Sequence, residues 1–342
     1  MILSLLTRLL PWASHEASTT THNSNVTAIP NHSAAKFSAF KFVEEVDTWP
    51  YFQQDPSAYK KHMRDFYYFM VDGYSRPFGY MHREFIQGLS WSSEWKIDPD
   101  DRLLTLMSSD VEGRTKAMNE TLRANYNEKR VVRKWFNENF ALVAPNGDHV
   151  LDMDGGGVDL FGIVTCGVHM TGFVRTKSGL KYWVPRRSYT KTTFPGRLDN
   201  FVAGNLGSME KPIDGMIREV FEETGIPKDY TRAHIKACGT LTYQMSVTND
   251  GRPGCQHHSQ YVYEMELSED VVPRRHDGEV ENFELMSLED VQAALMRDEF
   301  TPNRTLTYVA HFIRHGIVTA ENEARIVEIC ARLHRKHDLF IE

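Results

Sequence analysis

Residues 204–226 read GNLGSMEKPIDGMIREVFEETGI, and their spacing decides how the rest of the chain is understood. On a helix turning about 100° per residue, Glu219, Glu222 and Glu223 stand at i, i+3 and i+4, so their carboxylates leave one face within a single turn. Like charges so placed repel by roughly a few tenths of a kcal/mol per pair in an isolated helix. A divalent cation removes that objection. The stretch holds no histidine or cysteine, and hard oxygen donors favour Mg²⁺ or Mn²⁺ over Zn²⁺. Gly225 follows Thr224 where a left-handed end residue is needed, and Pro227 prevents continuation. Gly204 and Gly207 permit tight turns beside the carboxylates.

The plainer interpretation is a solvated acidic helix face, which suits a lone EExxE pattern. Here the specified positions are too many for it. Gly204, five residues, Glu210, seven residues, Arg218, Glu219, aliphatic Val220, Glu222, Glu223, Gly225 and aliphatic Ile226 reproduce the Nudix box. The chain therefore resembles the Nudix hydrolases. The resemblance implies an α/β fold: a Nudix α/β/α sandwich with a mixed sheet, preceded by a smaller α+β N-terminal domain. It also implies an enzyme that hydrolyses phosphoanhydrides. Glu219, Glu222 and Glu223 are then the metal ligands, and Arg218 holds the carboxylates by charge-assisted hydrogen bonds. Arg218, Glu219 and Glu222 count as catalytic, whereas Gly204, Glu210 and Gly225 are structural parts of the box. The cofactor expected is Mg²⁺ or Mn²⁺, which neutralises a diphosphate and acidifies an attacking water.

Composition bounds the alternatives. At 342 residues the chain exceeds a typical single domain, and 41% hydrophobic residues suffice for real cores. A net charge of −7 argues against nucleic acid as the main partner, because such binding rests on a basic surface. A small-molecule diphosphate is the partner expected. No run reaches the length of a membrane-spanning helix, so no membrane partner is expected either. Cys166, Cys238, Cys255 and Cys330 lack CxxC spacing and suit reduced thiols in an intracellular protein. The expected state is a monomer or homodimer.

Residues 1–40 are Ser/Thr/Asn/His-rich after an apolar opening, with Glu16 the sole acid, and suit a disordered tail or a transit segment. The location expected is the cytoplasm, with mitochondrial import as the alternative. An N-terminal domain is expected over 41–155 and a hydrolase domain over 158–342, joined by a loose Gly155-Gly156-Gly157 connection. Within the first, helical stripes are predicted over 51–71 and from Met118 to Phe136. A strand, a turn at Asn146-Gly147 and a second strand follow. Within the second, a hairpin turns at Ser178-Gly179, later strands cover ACGTLTYQMSV, SQYVYEMEL and VENFELMSL, and helices lie near 289–297, 302–315 and 321–336.

Arg186, Arg187 and Lys191 precede the box and are the candidates for meeting phosphates, against a solvated loop as the plainer alternative. Glu279 is the candidate further acid facing the metals, with Glu281 second. His169 and Trp183 are assigned to packing, and His276 and Tyr243 are weak candidates to touch an aromatic ring. The segments RRSYTKTTFPGRLDNFVAG, ELSEDVVPRRHDGEVENFELMSLEDV and FTPNRTLTYVAHFIRHGIVT resemble plant and fungal Nudix proteins that carry a distinct N-terminal domain. Those proteins are related to the Nudix part fused to thiamine pyrophosphokinase. That resemblance implies metabolite damage control: cleavage of thiamine diphosphate, with preference for oxo- and oxythiamine diphosphate, to the monophosphate. Two alternatives are an ADP-ribose-type pyrophosphatase and a non-catalytic Nudix-fold binding module. The start GNLGSMEKP departs from the usual GGLP type, which bears on substrate preference and leaves the metal ligands intact. The N-terminal domain is expected to cover part of the substrate site, offering aromatics such as Trp49, Tyr51, Trp91 and Trp95.

Overall fold

The computed structural model describes residues 37–340, apart from 129–131, 133, 134, 192, 250 and 251. The tail expected over 1–40 lies outside the described residues up to residue 36, and the chain is helical from Ala39. α1 (Ala39–Val46) buries Ala39, Phe40, Phe42, Val43 and Val46. α2 (Pro56–Met63) starts at Asp55, whose carboxylate accepts from the Ser57 and Ala58 amides. The helix predicted over 51–71 stops there. Phe66–Val71, FYYFMV, is strand β1 instead. An aromatic run of that kind fits a half-buried pleated surface better than a helix, and β1 pairs on both of its edges. On one side lies β2 (Gly79–His82), followed by α3 (Arg83–Gly88); β3 (Trp95–Asp98) and β4 (Leu103–Leu106) complete a sheet of order β2-β1-β4-β3.

α4 (Val111–Asn127) ends well before Phe136, so the predicted stripe was too long and Phe136 stands in the following loop. β5 (Asn139–Val143) and β6 (His149–Asp154) form the expected hairpin about Asn146-Gly147, with Gly147 at φ 90°. The three glycines that read as a loose connection instead open helix α5 (Gly155–Phe161). Asp154 caps it by accepting from the Gly156 amide, and Gly157 packs so closely that a Cβ would stand 2.6 Å from the Leu122 side chain. Close packing, and not flexibility, is what the glycine supplies there.

β7 (Val164–Thr176) and β8 (Gly179–Arg187) form the predicted hairpin, with Phe173 opposite Tyr182. β9 (Val202–Asn205) pairs with β7 and leads into α6 (Pro212–Thr224), then α7 (Lys228–His234). β10 (Ile235–Asn249) and β11 (Arg252–Glu266) run antiparallel, β11 runs parallel to β7, and β12 (Val280–Ser287) pairs with β8. Among the described residues the sheet order is β10-β11-β7-β8-β12, with β9 on β7. α8 (Leu288–Met296) lies where predicted, and α9 (Thr305–Arg314) and α10 (Ile326–Leu333) follow, each of these two shorter than its predicted span.

Alternation along the strands divides the core. Val168, Met170 and Met265 meet Met216 and Val220 of α6 on one face. Tyr182, Val184, Tyr243 and Val262 meet α8, α9, α10 and also α1 on the other. This is the expected α/β/α sandwich on a mixed sheet. A separate apolar cluster spans Phe69 to Ile163 in the α+β region before it.

Candidate active site

α6 buries Met216, Ile217 and Val220, with Met216 and Val220 in the core against the sheet, and presents Arg218, Glu219 and Glu222 to the cavity beside β9. Its end is set by Gly225 at φ 69°, whose amide donates to Phe221 O at 2.9 Å. Gly204 on β9 meets the helix so closely that a Cβ there would stand 2.0 Å from Glu219 Oε1. The carboxylate occupies the space a side chain would need.

Arg218 is the hub. Its Nε and Nη2 each donate to Glu210 at 2.9 Å, while Nη1 donates to Glu219 at 2.8 Å and Glu222 at 2.9 Å. Those hydrogen bonds hold the Glu210 carboxyl below its ordinary pKa, with help from the Gly207 amide. Glu210 thus braces the box loop. Glu219 is raised, because burial outweighs the neighbouring Arg218. Glu223 is only 6% exposed and makes no hydrogen bond or ion pair with any described residue. Burial pushes its pKa well up, and Glu219, Asp199, Glu279 and Asp277 add like charge around it. Such a carboxyl wants a cation.

These groups line a cavity of about 900 Å³. Lys191 and Glu279, both predicted site residues, reach it together as an ion pair at 2.5 Å. Arg187 reaches it too, with Nη1 2.7 Å from Asp199 Oδ2. Arg186 does not. Successive strand residues point to opposite faces, and Arg186 donates to Gly196 O and approaches Glu284 instead. The cation missed in the sequence is Arg304, which lines the cavity, pairs with Asp199 Oδ1 at 3.0 Å and donates to His169 Nε2 at 2.8 Å. Burial and Arg304 push His169 well below its ordinary pKa, so it stays neutral and accepts. Its signal was the NR pair before a helix, quoted above for resemblance alone. Glu281 approaches Arg275 at 3.6 Å. Tyr243 is buried in the apolar core and His276 packs on Phe221, so neither lines the cavity.

Residues 169–307 match the family model of the NUDIX domain. Over 316 residues the chain is 33% identical to Uncharacterized protein YJR142W of Saccharomyces cerevisiae, covering 88% of this chain and 91% of that one. The chain belongs to the Nudix family. It is also 29% identical over 225 residues to Nudix hydrolase 20, chloroplastic, and 28% over 226 residues to Nudix hydrolase 24, chloroplastic, both of Arabidopsis thaliana. Each match covers 64% of this chain, which spans 58% and 59% of those two relatives. As a Nudix protein with these relatives it is a pyrophosphohydrolase.

Nudix hydrolases use divalent metal ions, and the donors here fit one: oxygen ligands, a buried Glu223 without a partner among the described residues, and the acids Glu219, Asp199, Glu279 and Asp277 near it. The box glutamates are not drawn together as tightly as Glu264, His311 and His315, whose ligand atoms lie within 4.8 Å of one another among the described residues. In the box Arg218 stands between Glu219 and Glu222. In the other group the ligand atoms are engaged with one another and with Arg314. Among the described residues no helix is long and apolar enough to cross a membrane.

Proposed function

We propose that this Nudix hydrolase is a Mg²⁺- or Mn²⁺-dependent diphosphatase that converts thiamine diphosphate and its oxo- and oxythiamine forms to the monophosphate and phosphate. The observation that carries the diphosphatase part is one cavity holding the unpartnered Glu223, Glu219 and Glu222 beside the cations Arg187, Lys191 and Arg304. A diphosphate needs both kinds of group. The thiamine part is supported by the resemblance of residues 186–204, 266–291 and 300–319 to the plant and fungal proteins.

Glu219, Glu222 and Glu223 would hold the metal, which when bound neutralises charge on the diphosphate and acidifies a water. Arg218 keeps Glu219 and Glu222 in register by its two short hydrogen bonds. Glu279, on the loop before β12, accepts the proton of the attacking water. Lys191 at 2.5 Å holds that carboxylate in place on the cavity wall. Arg187, Arg304 and Lys191 receive the phosphate oxygens, with Asp199 and His169 fixing the two guanidinium groups. Residues 41–155 form the N-terminal domain in this reading, 158–342 the hydrolase domain, and the cytoplasm is the location.

The test is phosphate release with Mg²⁺ from thiamine diphosphate, its oxidised forms, ADP-ribose, NADH, nucleoside triphosphates and isopentenyl diphosphate. The thiamine diphosphates should give the highest kcat/KM. A preference for ADP-ribose at low concentration would replace that substrate and leave the diphosphatase standing.

A further inference from the structure

The carboxylates and cations account for the part of the cavity lining that suits a diphosphate. The cavity is also lined by the loop before β5 and by the start of β5. Phe136 and Phe140 line the cavity there, and among its described lining residues they are the aromatic ones. Neither belongs to the matched segment 169–307. Inside that segment the lining is charged, polar, glycine, proline or aliphatic, with no aromatic side chain among the described residues. Whatever flat apolar surface the cavity offers a substrate therefore comes from the N-terminal region.

The aromatics expected to do this do not. Trp49 and Trp95 are buried, Trp91 packs against the N-terminal core, and none of these or Tyr51 lines the cavity. Phe136 by contrast is 48% exposed. A phenylalanine left that open gives up much of its burial energy, unless something covers the ring.

Hydrogen bonds fix the backbone at Phe136. The buried Asp154 carboxylate accepts from the Phe136 amide at 3.1 Å and the Asn137 amide at 2.8 Å, and it caps α5 through Gly156. Asn137 takes the left-handed φ of 58°, and its side-chain oxygen accepts from Trp135 Nε1 at 2.9 Å. Both rings rest on Gly155, where a Cβ would stand 2.9 Å from Phe140 and 3.4 Å from Phe136. The two edges of the cavity are also tied. Ser208 in the box loop donates to Asp152 on β6 at 2.5 Å.

We propose that Phe136 and Phe140 form the shelf that binds the organic half of the substrate, and that this half is a flat aromatic ring joined to the diphosphate. This rests on the reading that the box carboxylates and the three cations take the diphosphate. Stacking on an aromatic side chain depends on the face of a ring and tolerates many heterocycles, so the shelf selects ring-bearing over ringless diphosphates without choosing one ring.

The test compares full-length wild type with Phe136→Ala, Phe136→Trp and Phe140→Ala on thiamine diphosphate, ADP-ribose and the ringless isopentenyl diphosphate. Phe136→Ala should lower the ratio of kcat/KM for the ring-bearing substrate to that for the ringless one at least ~10-fold, mainly through KM. Phe136→Trp should restore it. Equal losses on ring-bearing and ringless substrates, or an unchanged ratio in both alanine variants, overturn the shelf. Calorimetry in the Glu222→Gln background, with inorganic pyrophosphate as the ringless reference, reads binding without turnover. If the ring-bearing diphosphates bind there no tighter than pyrophosphate, the shelf is wrong while the diphosphatase stands. If they bind tighter but nothing is hydrolysed by wild type, the diphosphatase reading fails and the shelf survives.

Discussion

Arg335 Nη1 donates to Asp47 Oδ1 at 3.1 Å, a buried ion pair between residues 288 positions apart. Arg335 also donates to the carbonyls of Trp49 and Pro50, Arg332 reaches the other Asp47 oxygen, and the Gln244 amide donates to Asp47 as well. The segment after α1 is thus clamped between β10 and the C-terminal region. Asp47→Ala strands Arg335 in the interior and should cost about 3–5 kcal/mol of unfolding free energy. Urea titration of the two proteins checks it, and a loss under ~1 kcal/mol would remove the clamp from the account. A fragment starting at residue 158 lacks α1, Asp47 and Trp49, and its urea midpoint should fall below that of the full chain.

Glu222→Gln and Glu223→Gln should each lower kcat at least ~100-fold with the fold retained, because a neutral amide is a poor hard-metal ligand. Chelator should abolish phosphate release from wild type, and Mg²⁺ or Mn²⁺ should restore it. Full turnover in either variant, or in excess EDTA, would take the metal away from the box helix.

The two substitutions should part company in metal-free protein. Glu222 is half exposed and paired with Arg218, so its amide loses an ion pair. Glu223 is buried, unpaired with any described residue and ringed by acids, so its amide removes a liability. In EDTA, thermal unfolding should therefore shift upward for Glu223→Gln and not for Glu222→Gln. With saturating Mg²⁺ the wild type should gain more than the Glu223→Gln variant. A Glu223→Gln protein less stable than wild type without metal contradicts the assignment.

The box was legible because its chemistry fixes residue types at fixed spacing on one helix: Arg218, Glu219 and Glu210 meet as their spacing demands. The hairpin about Ser178-Gly179 was equally local. What sequence reading lost depends on tertiary partners. Phe66–Val71 carries apolar residues that suit either a helix or a strand, and pairing with β2 and β4 decides it. Gly155 to Gly157 look like a linker until Asp154 caps them and Leu122 packs on Gly157. Arg304 lies about 100 residues from Asp199 in the chain and only their contact marks it for the cavity. Phe136 reads as the end of a helical stripe, whereas it lies beyond α4 in a loop that lines the cavity.

Glu264 supplies the last prediction, one of pH. Its buried carboxylate meets His311 Nδ1 at 2.8 Å, Arg314 Nη2 at 2.5 Å and His315 Nε2 at 2.9 Å. Burial alone would raise its pKa, but hydrogen bonds from His311, His315 and Arg314 carry it well below the usual carboxylate range. A folded pKa below the unfolded value of about 4.3 means the unfolded chain binds the proton first as pH drops. The contribution is therefore complete above that value and fades as pH falls through the folded pKa. His311 acts in the same sense, since burial lowers its pKa and charging it favours unfolding below about pH 6.5. Unfolding free energies from urea titration should decline from pH 7 to pH 3. Glu264→Gln keeps the volume, removes the charge and should open a gap from wild type at pH 7 that narrows toward pH 3. A gap that stays constant across that range would show that the ionisation of Glu264 is not what holds α9 to β11.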